Sequence, residues 1–194
     1  MRVILASKSP RRKEILEALG FSFEIITTGT DESCDENNPE RLVEILSERK
    51  GQEVYKMLKN DDVLVISSDT VVTIDGKILG KPKSKQDAFN MLKMLSGKKH
   101  TVTSGLSINY NGRVLTGHAN TDVYFAFLSD EVINSYIETN DIMDKAGAYA
   151  VQGMASMWID KIDGCYFNVV GLPVRLLNKL INELGLNVYD IIKG

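Results

Sequence analysis

The stretch Val63-Leu64-Val65-Ile66-Ser67-Ser68-Asp69-Thr70-Val71-Val72 limits what this chain can fold into more than any other. Four consecutive aliphatics, Val63 to Ile66, fit a strand buried on both faces, because a strand with one wet face would alternate apolar and polar residues. Polar residues 67–70 then interrupt the run before it resumes. A carboxylate beside a dry strand is costly unless it is paired, hydrogen-bonded or metal-bound, so Asp69 needs a partner. Ser-Ser-Asp-Thr could instead cap a helix, but Val71 to Ile74 are β-formers leading into Asp75-Gly76, a hairpin signal. The pattern therefore predicts a functional Asp69 at the end of a buried strand.

Other polar residues stand where packing does not explain them. Val3 to Ala6 reads as a first strand; Ser9 as N-cap, Pro10 at the first helical position and Gly20 past the end frame a helix. Its first turn carries Arg11, Arg12 and Lys13, where the positive end of the helix dipole makes each cation cost about 0.3–1 kcal/mol. Free N–H groups and guanidinium forks there suit a phosphate held by Ser9, Arg11 and Arg12, and a solvated basic turn is an equal reading of these residues alone. Phe21 to Thr28 reads as a second strand, and residues 29–38 as a polar loop in which Glu32 is by itself a solvated charge. A second helix opens at Asn38-Pro39-Glu40 with Val43, Leu46, Val54 and Met57 inward. Lys50 falls within that apolar stripe, either snorkelling to water or reaching a buried anion. Lys81, between Gly80 and Pro82, can sit in neither a helix nor an inner strand and is a second candidate phosphate contact.

Ser84 to Asp87 is a capping box for a third helix that stops at Gly97. Asn111-Gly112 joins strands over 101–110 and 113–116, and a further strand over 121–127 turns Val123, Phe125 and Phe127 to one face, giving an antiparallel meander. Ser129 opens a fourth helix, residues 144–153 are rich in small side chains, Met157 to Asp160 reads as a strand, and a last helix carries Leu176 to Leu184.

The net charge of −3 supplies no general basic field for wrapping nucleic acid. No run approaches the ~18 apolar residues of a membrane span, and residues 1–6 are too short for a signal peptide, which predicts a cytoplasmic protein. Cys34 and Cys165 form no metal-binding or disulfide pattern, and His100 and His118 are the only histidines. A metal would therefore be held by oxygen ligands, as Mg²⁺ or Mn²⁺ are. Cations converging on one acid fit a phosphorylated substrate. The absence of a P-loop, of G-x-G-x-x-G and of a D-x-D pair after Asp69 favours attack by water over an aspartyl-phosphate.

Ser7-Lys8-Ser9-Pro10-Arg11-Arg12 resembles the N-terminal signature of the Maf nucleotide pyrophosphatases. The similarity continues through residues 68–72, Leu79-Gly80-Lys81-Pro82, Leu95-Ser96-Gly97, Asp144-Lys145-Ala146-Gly147 with Gln152-Gly153, and residues 168–173. The resemblance implies a house-cleaning hydrolase that converts a nucleoside triphosphate to the monophosphate and pyrophosphate with a divalent metal (Mg²⁺ or Mn²⁺). It implies an α/β fold of the Maf/ITPase-like kind: a mixed, partly antiparallel twisted sheet flanked by helices, one domain over 1–194 of two lobes with a central cleft, and a possible homodimer. By position, Asp69 matches the proton acceptor. Arg12, Thr70 and Gln152 match the substrate-choice positions, in a combination similar to the dTTP and UTP branch. Lys50 and Lys81 match polar positions of the cleft and join Ser9 and Arg11 as expected phosphate contacts, and Glu32 with Asp69 becomes a candidate metal ligand. Ser68 departs from the family, which more often has Ala there. The rival reading is a non-catalytic regulator of septum formation or a nucleic-acid-binding module using Arg11 to Lys13; no aromatics interleave these basic residues, so no nucleic-acid partner is expected.

Overall fold

The computed structural model describes residues 1–58 and 62–193. Its sheet has seven strands: β1 (Arg2–Leu5), β2 (Glu24–Ile25), β3 (Val63–Ile74), β4 (Lys77–Leu79), β5 (Lys99–Tyr110), β6 (Arg113–Phe125) and β7 (Ile159–Asp163), ordered β2-β1-β3-β5-β6-β7 with β4 on β3. β1 runs parallel to both β2 and β3, with Arg2 opposite Val63 and Leu5 opposite Ile66, whereas β4 and β7 pair antiparallel with β3 and β6. The sheet is thus mixed, as the alternation of buried strands, helices and hairpins predicts. Asp75 and Asn111 adopt positive φ ahead of Gly76 and Gly112, the backbone that two-residue hairpin turns require.

The chain folds into two compact units. The first comprises residues 1–69, 104–119 and 171–194, and the second 70–103 and 120–170. In the first, Val63 to Ile66 are wholly buried, and helix α2 (Pro39–Leu58) packs Val54 against Ile4, Ala6, Val63 and Val65. Helices α1 (Pro10–Ala18), α6 (Val174–Glu183) and α7 (Val188–Lys193) complete it. In the second, α3 (Lys85–Leu95) and α4 (Asp130–Thr139) bury Leu92, Leu95 and Ile133 with Val72, Val102 and Val123, and the short α5 (Tyr166–Val170) supplies buried Asn168. Ser84 and Ser129 cap α3 and α4 by accepting backbone N–H bonds.

Several expectations are corrected. β3 continues through the polar stretch to Ile74, so Asp69 lies within a strand and not at its end. Paired strands satisfy the backbone whatever the side chains are, which lets the sheet carry residues 67–70 without a break. The second strand shrinks to Glu24–Ile25, and residues 113–125 form one strand with no gap at 117–120. Met57 and Phe127 point outward, 57% and 78% exposed, each at the margin of an apolar pattern where the period no longer binds it to the core. Residues Met154–Trp158 form a 3₁₀ turn, with the strand beginning only at Ile159. Asp87 accepts from the N–H of Lys83 where the capping-box pattern expects that of Ser84.

His100 lies in the second core, its Nε2 2.7 Å from the Tyr149 hydroxyl and its ring edge-on to Phe125. Burial holds its pKa at about 4, against an ordinary 6.5. The unfolded chain therefore binds a proton that the folded one refuses between these values. Stability from neutral His100 is fully present above pH 6.5 and is lost as pH falls through about 4. Urea unfolding at pH 7.5, 5.5 and 4 should show a loss of roughly 3 kcal/mol that His100→Gln no longer shows.

Candidate functional site

α2 lies so close to the sheet that side chains are excluded at the contact. A Cβ on Gly51 would come within 2.5 Å of the Ser67 hydroxyl and 2.6 Å of the Asn109 amide, and one on Gly105 would overlap the Val43 carbonyl. With the helix seated this way, its residues 47 and 50 face β3 in step with the two-residue period of the strand. The Ser67 hydroxyl donates to the Ser47 carbonyl at 2.7 Å, and two residues on, Lys50 Nζ donates to Asp69 Oδ1 at 2.6 Å. The cation that sequence left inside an apolar stripe is thus the partner that Asp69 requires.

Lys50 also meets Glu32 Oε1 at 2.7 Å. The Lys50 and Asp69 side chains are only 16% and 14% exposed, whereas Glu32 remains 52% exposed. One ammonium therefore gathers an enclosed carboxylate and an open one. Among the described residues no group of three or more His, Cys, Asp or Glu side chains is placed to hold a metal. The pair Glu32 and Asp69 nonetheless suits a hard divalent ion, which often takes only one or two protein carboxylates and fills its other positions with water and phosphate oxygens.

The basic turn of α1 is built differently from its sequence reading. Ser9 has the extended backbone of an N-cap but its side chain caps nothing; its own N–H donates to the Ser7 hydroxyl at 3.2 Å. Arg12 turns inward, its Nε donating to the Gly171 carbonyl at 2.8 Å and its Nη1 to the Ser7 hydroxyl at 3.0 Å. Desolvation lowers its pKa from the ordinary guanidinium value, and the charge of Asp69 opposes that loss. Arg11 is half-buried beside it, and Lys13 pairs along the helix with Glu17 at 3.6 Å. Ser68, facing away from α2, donates to the Gly105 and Gly171 carbonyls at 2.7 and 3.0 Å. The Ser68 hydroxyl therefore turns from Asp69 and anchors the carbonyl that orients Arg12.

The first unit thus gathers Glu32, Lys50 and Asp69 by contact, with Arg11 and Arg12 in reach of their charge and Ser9 joined to Arg12 through the Ser7 hydroxyl. Thr70, Lys81 and Gln152 belong to the second. Thr70 is half-buried, whereas Lys81 and Gln152 are exposed. The Gly80 carbonyl before Lys81 accepts from the Gly147 N–H at 3.0 Å, which ties two of the small-residue motifs together. Sequence reasoning did not single out Ser7 or the Gly171 carbonyl. Ser7 had a signal, being a polar residue directly after an all-apolar strand, but a backbone carbonyl has no signature in side-chain chemistry.

The family model for Maf-like proteins matches residues 2–184. A protein of Caldicellulosiruptor bescii named dTTP/UTP pyrophosphatase is 46% identical over 198 residues, covering 100% of this chain and 98% of its own. One of the same name from Thermosipho africanus is 45% identical over 194 residues, with 100% and 98% covered. Among solved structures the Staphylococcus aureus Ham1 protein is similar in fold, with a TM-score of 0.51 at 11% identity over 94% of this chain and 99% of that one.

Replacing Lys50 by Met should leave two carboxylates facing each other across an enclosed space. Removing one partner of a buried pair costs about 3–5 kcal/mol, and water around Glu32 reduces that, so a loss of about 2–3 kcal/mol is expected. Denaturant unfolding of Lys50→Met checks it, and Asp69→Asn in that background should recover part of the loss.

Proposed function

The chain belongs to the Maf family, and from that membership we propose that it is a nucleotide pyrophosphatase hydrolysing dTTP and UTP to the monophosphate and pyrophosphate. The observation that carries this reading is Lys50 gathering Asp69 and Glu32 at one point. Relatives that match end to end and are named dTTP/UTP pyrophosphatases support it. The rival, a non-catalytic regulator of septum formation or a nucleic-acid-binding module, is not favoured, since these full-length relatives are named as pyrophosphatases.

In this reading Asp69 orients a water molecule and accepts its proton as the water oxygen bonds to phosphorus and the anhydride bond to the departing group breaks. Lys50 holds that carboxylate in place. Ser9, Arg11 and Arg12 bind phosphate oxygens and offset the charge that grows on them, and Lys50 and Lys81 are assigned to the same task by their match to the family motifs. Asp69 and Glu32 would hold Mg²⁺ or Mn²⁺, which when bound neutralises phosphate charge. Arg12, Thr70 and Gln152 are assigned to substrate choice by their match to the family motifs. No helix among the described residues is long and apolar enough to cross a membrane. We place the enzyme in the cytoplasm with free nucleotides, and a homodimer belongs to the same proposal.

Purified protein with Mn²⁺ or Mg²⁺ should release pyrophosphate from dTTP and UTP faster than from purine triphosphates. Asp69→Asn should lower kcat by a hundred- to ten-thousand-fold, the range of a positioned general base, while the protein still binds nucleotide. Unchanged turnover in that variant would remove Asp69 from its role.

A further inference from the structure

Glu32 sits in a segment, residues 26–38, that is neither helix nor strand, so nothing in its own backbone fixes the carboxylate against Lys50. Two side chains of α2 hold that segment. Arg49 Nη1 donates to the Asp31 carbonyl at 2.6 Å and to the Ser33 carbonyl at 2.9 Å, the two residues that flank Glu32. One helical turn on, Glu53 Oε2 accepts from the Thr28 and Thr30 hydroxyls at 2.8 and 2.6 Å. Asp31 closes the turn locally, accepting from both the N–H and the hydroxyl of Ser33. Residues 49 and 53 stand at the i, i+4 spacing that places side chains on one helix face, and Lys50 is next to the first of them.

We infer that Arg49 is a positioning residue: by bracketing Glu32 through its two neighbouring carbonyls, with Glu53 fastening the threonines before it, Arg49 sets the Glu32 carboxylate beside Lys50 and Asp69. The arrangement uses consecutive residues of one rigid helix for two tasks. Lys50 takes the carboxylates, and Arg49 takes the backbone that delivers one of them. Arg49 bonds backbone carbonyls and not the acids themselves, so its charge is not what the site consumes. The inference rests on the proposed metal-assisted hydrolysis only for its consequence; the tethering can be read without it.

The test compares wild type, Arg49→Gln, Glu32→Gln, the double variant and Arg49→Lys. Amide hydrogen exchange across residues 28–34 reads the tether directly and should quicken at least about tenfold in Arg49→Gln, while Arg49→Lys, whose ammonium has donors for both carbonyls, restores protection. Mn²⁺ affinity, measured by electron paramagnetic resonance without nucleotide, should weaken about tenfold in Arg49→Gln and change less than twofold when the same substitution is made on Glu32→Gln. Sign separates position from charge: removing a cation would by electrostatics alone tighten Mn²⁺ binding, so weaker binding reports a displaced carboxylate. Unchanged exchange across 28–34, or an equal Mn²⁺ loss with and without Glu32, overturns the inference. Wild-type protein that binds Mn²⁺ yet releases no pyrophosphate would instead overturn the functional reading, and the exchange and Mn²⁺ comparisons would still decide the role of Arg49.

Discussion

The first unit depends on one ammonium group held between two carboxylates. Lys50 would be an expensive residue inside the apolar stripe of α2, and Asp69 an expensive one inside β3, if either stood alone. Each removes the other's cost. This works because glycines stand at the two closest points between helix and sheet. Gly51 and Gly105 have no Cβ, and a methyl at either would collide with Ser67, Asn109 or the Val43 backbone. The close approach that lets Ser67 bond the Ser47 carbonyl also brings Lys50 to Asp69. Packing and chemistry share the same few contacts.

Around that pair the unit adds supports of a different kind. Ser68 joins Arg12 on the Gly171 carbonyl, so three distant parts of the sequence meet at one backbone oxygen. Arg12 is thereby held in one orientation, and in the proposed hydrolysis such preorganisation would let its charge act without rearranging during the reaction. Arg49 does for Glu32 what Gly171 does for Arg12, through backbone atoms in both cases.

Residues whose chemistry conflicts with their local pattern were readable in the sequence. Asp69 in a buried strand and Lys50 in an apolar stripe each signalled a missing partner, and the structure supplies one to the other. The hairpins at Asp75-Gly76 and Asn111-Gly112 were legible because positive φ narrows the choice of residues so strongly. Less legible was anything set by tertiary contact. The strand β3 runs past Asp69 because neighbouring strands satisfy its backbone, a fact that side-chain periodicity does not record. Ser9 stands at the N-cap as its sequence suggests, yet its side chain accepts no bond from the helix. Arg49 looked like an ordinary helix-surface charge, since its partners are carbonyls 16 and 18 residues away.

The central claim is that Asp69, held by Lys50, acts on water and is not itself the nucleophile. Turnover of dTTP carrying one sulfur on its α-phosphorus, in ¹⁸O-labelled water, distinguishes the two by the configuration of the thiophosphate in the monophosphate product. Direct attack by water on that phosphorus predicts inversion. Retention, the outcome of two successive displacements through an aspartyl-phosphate, would contradict it.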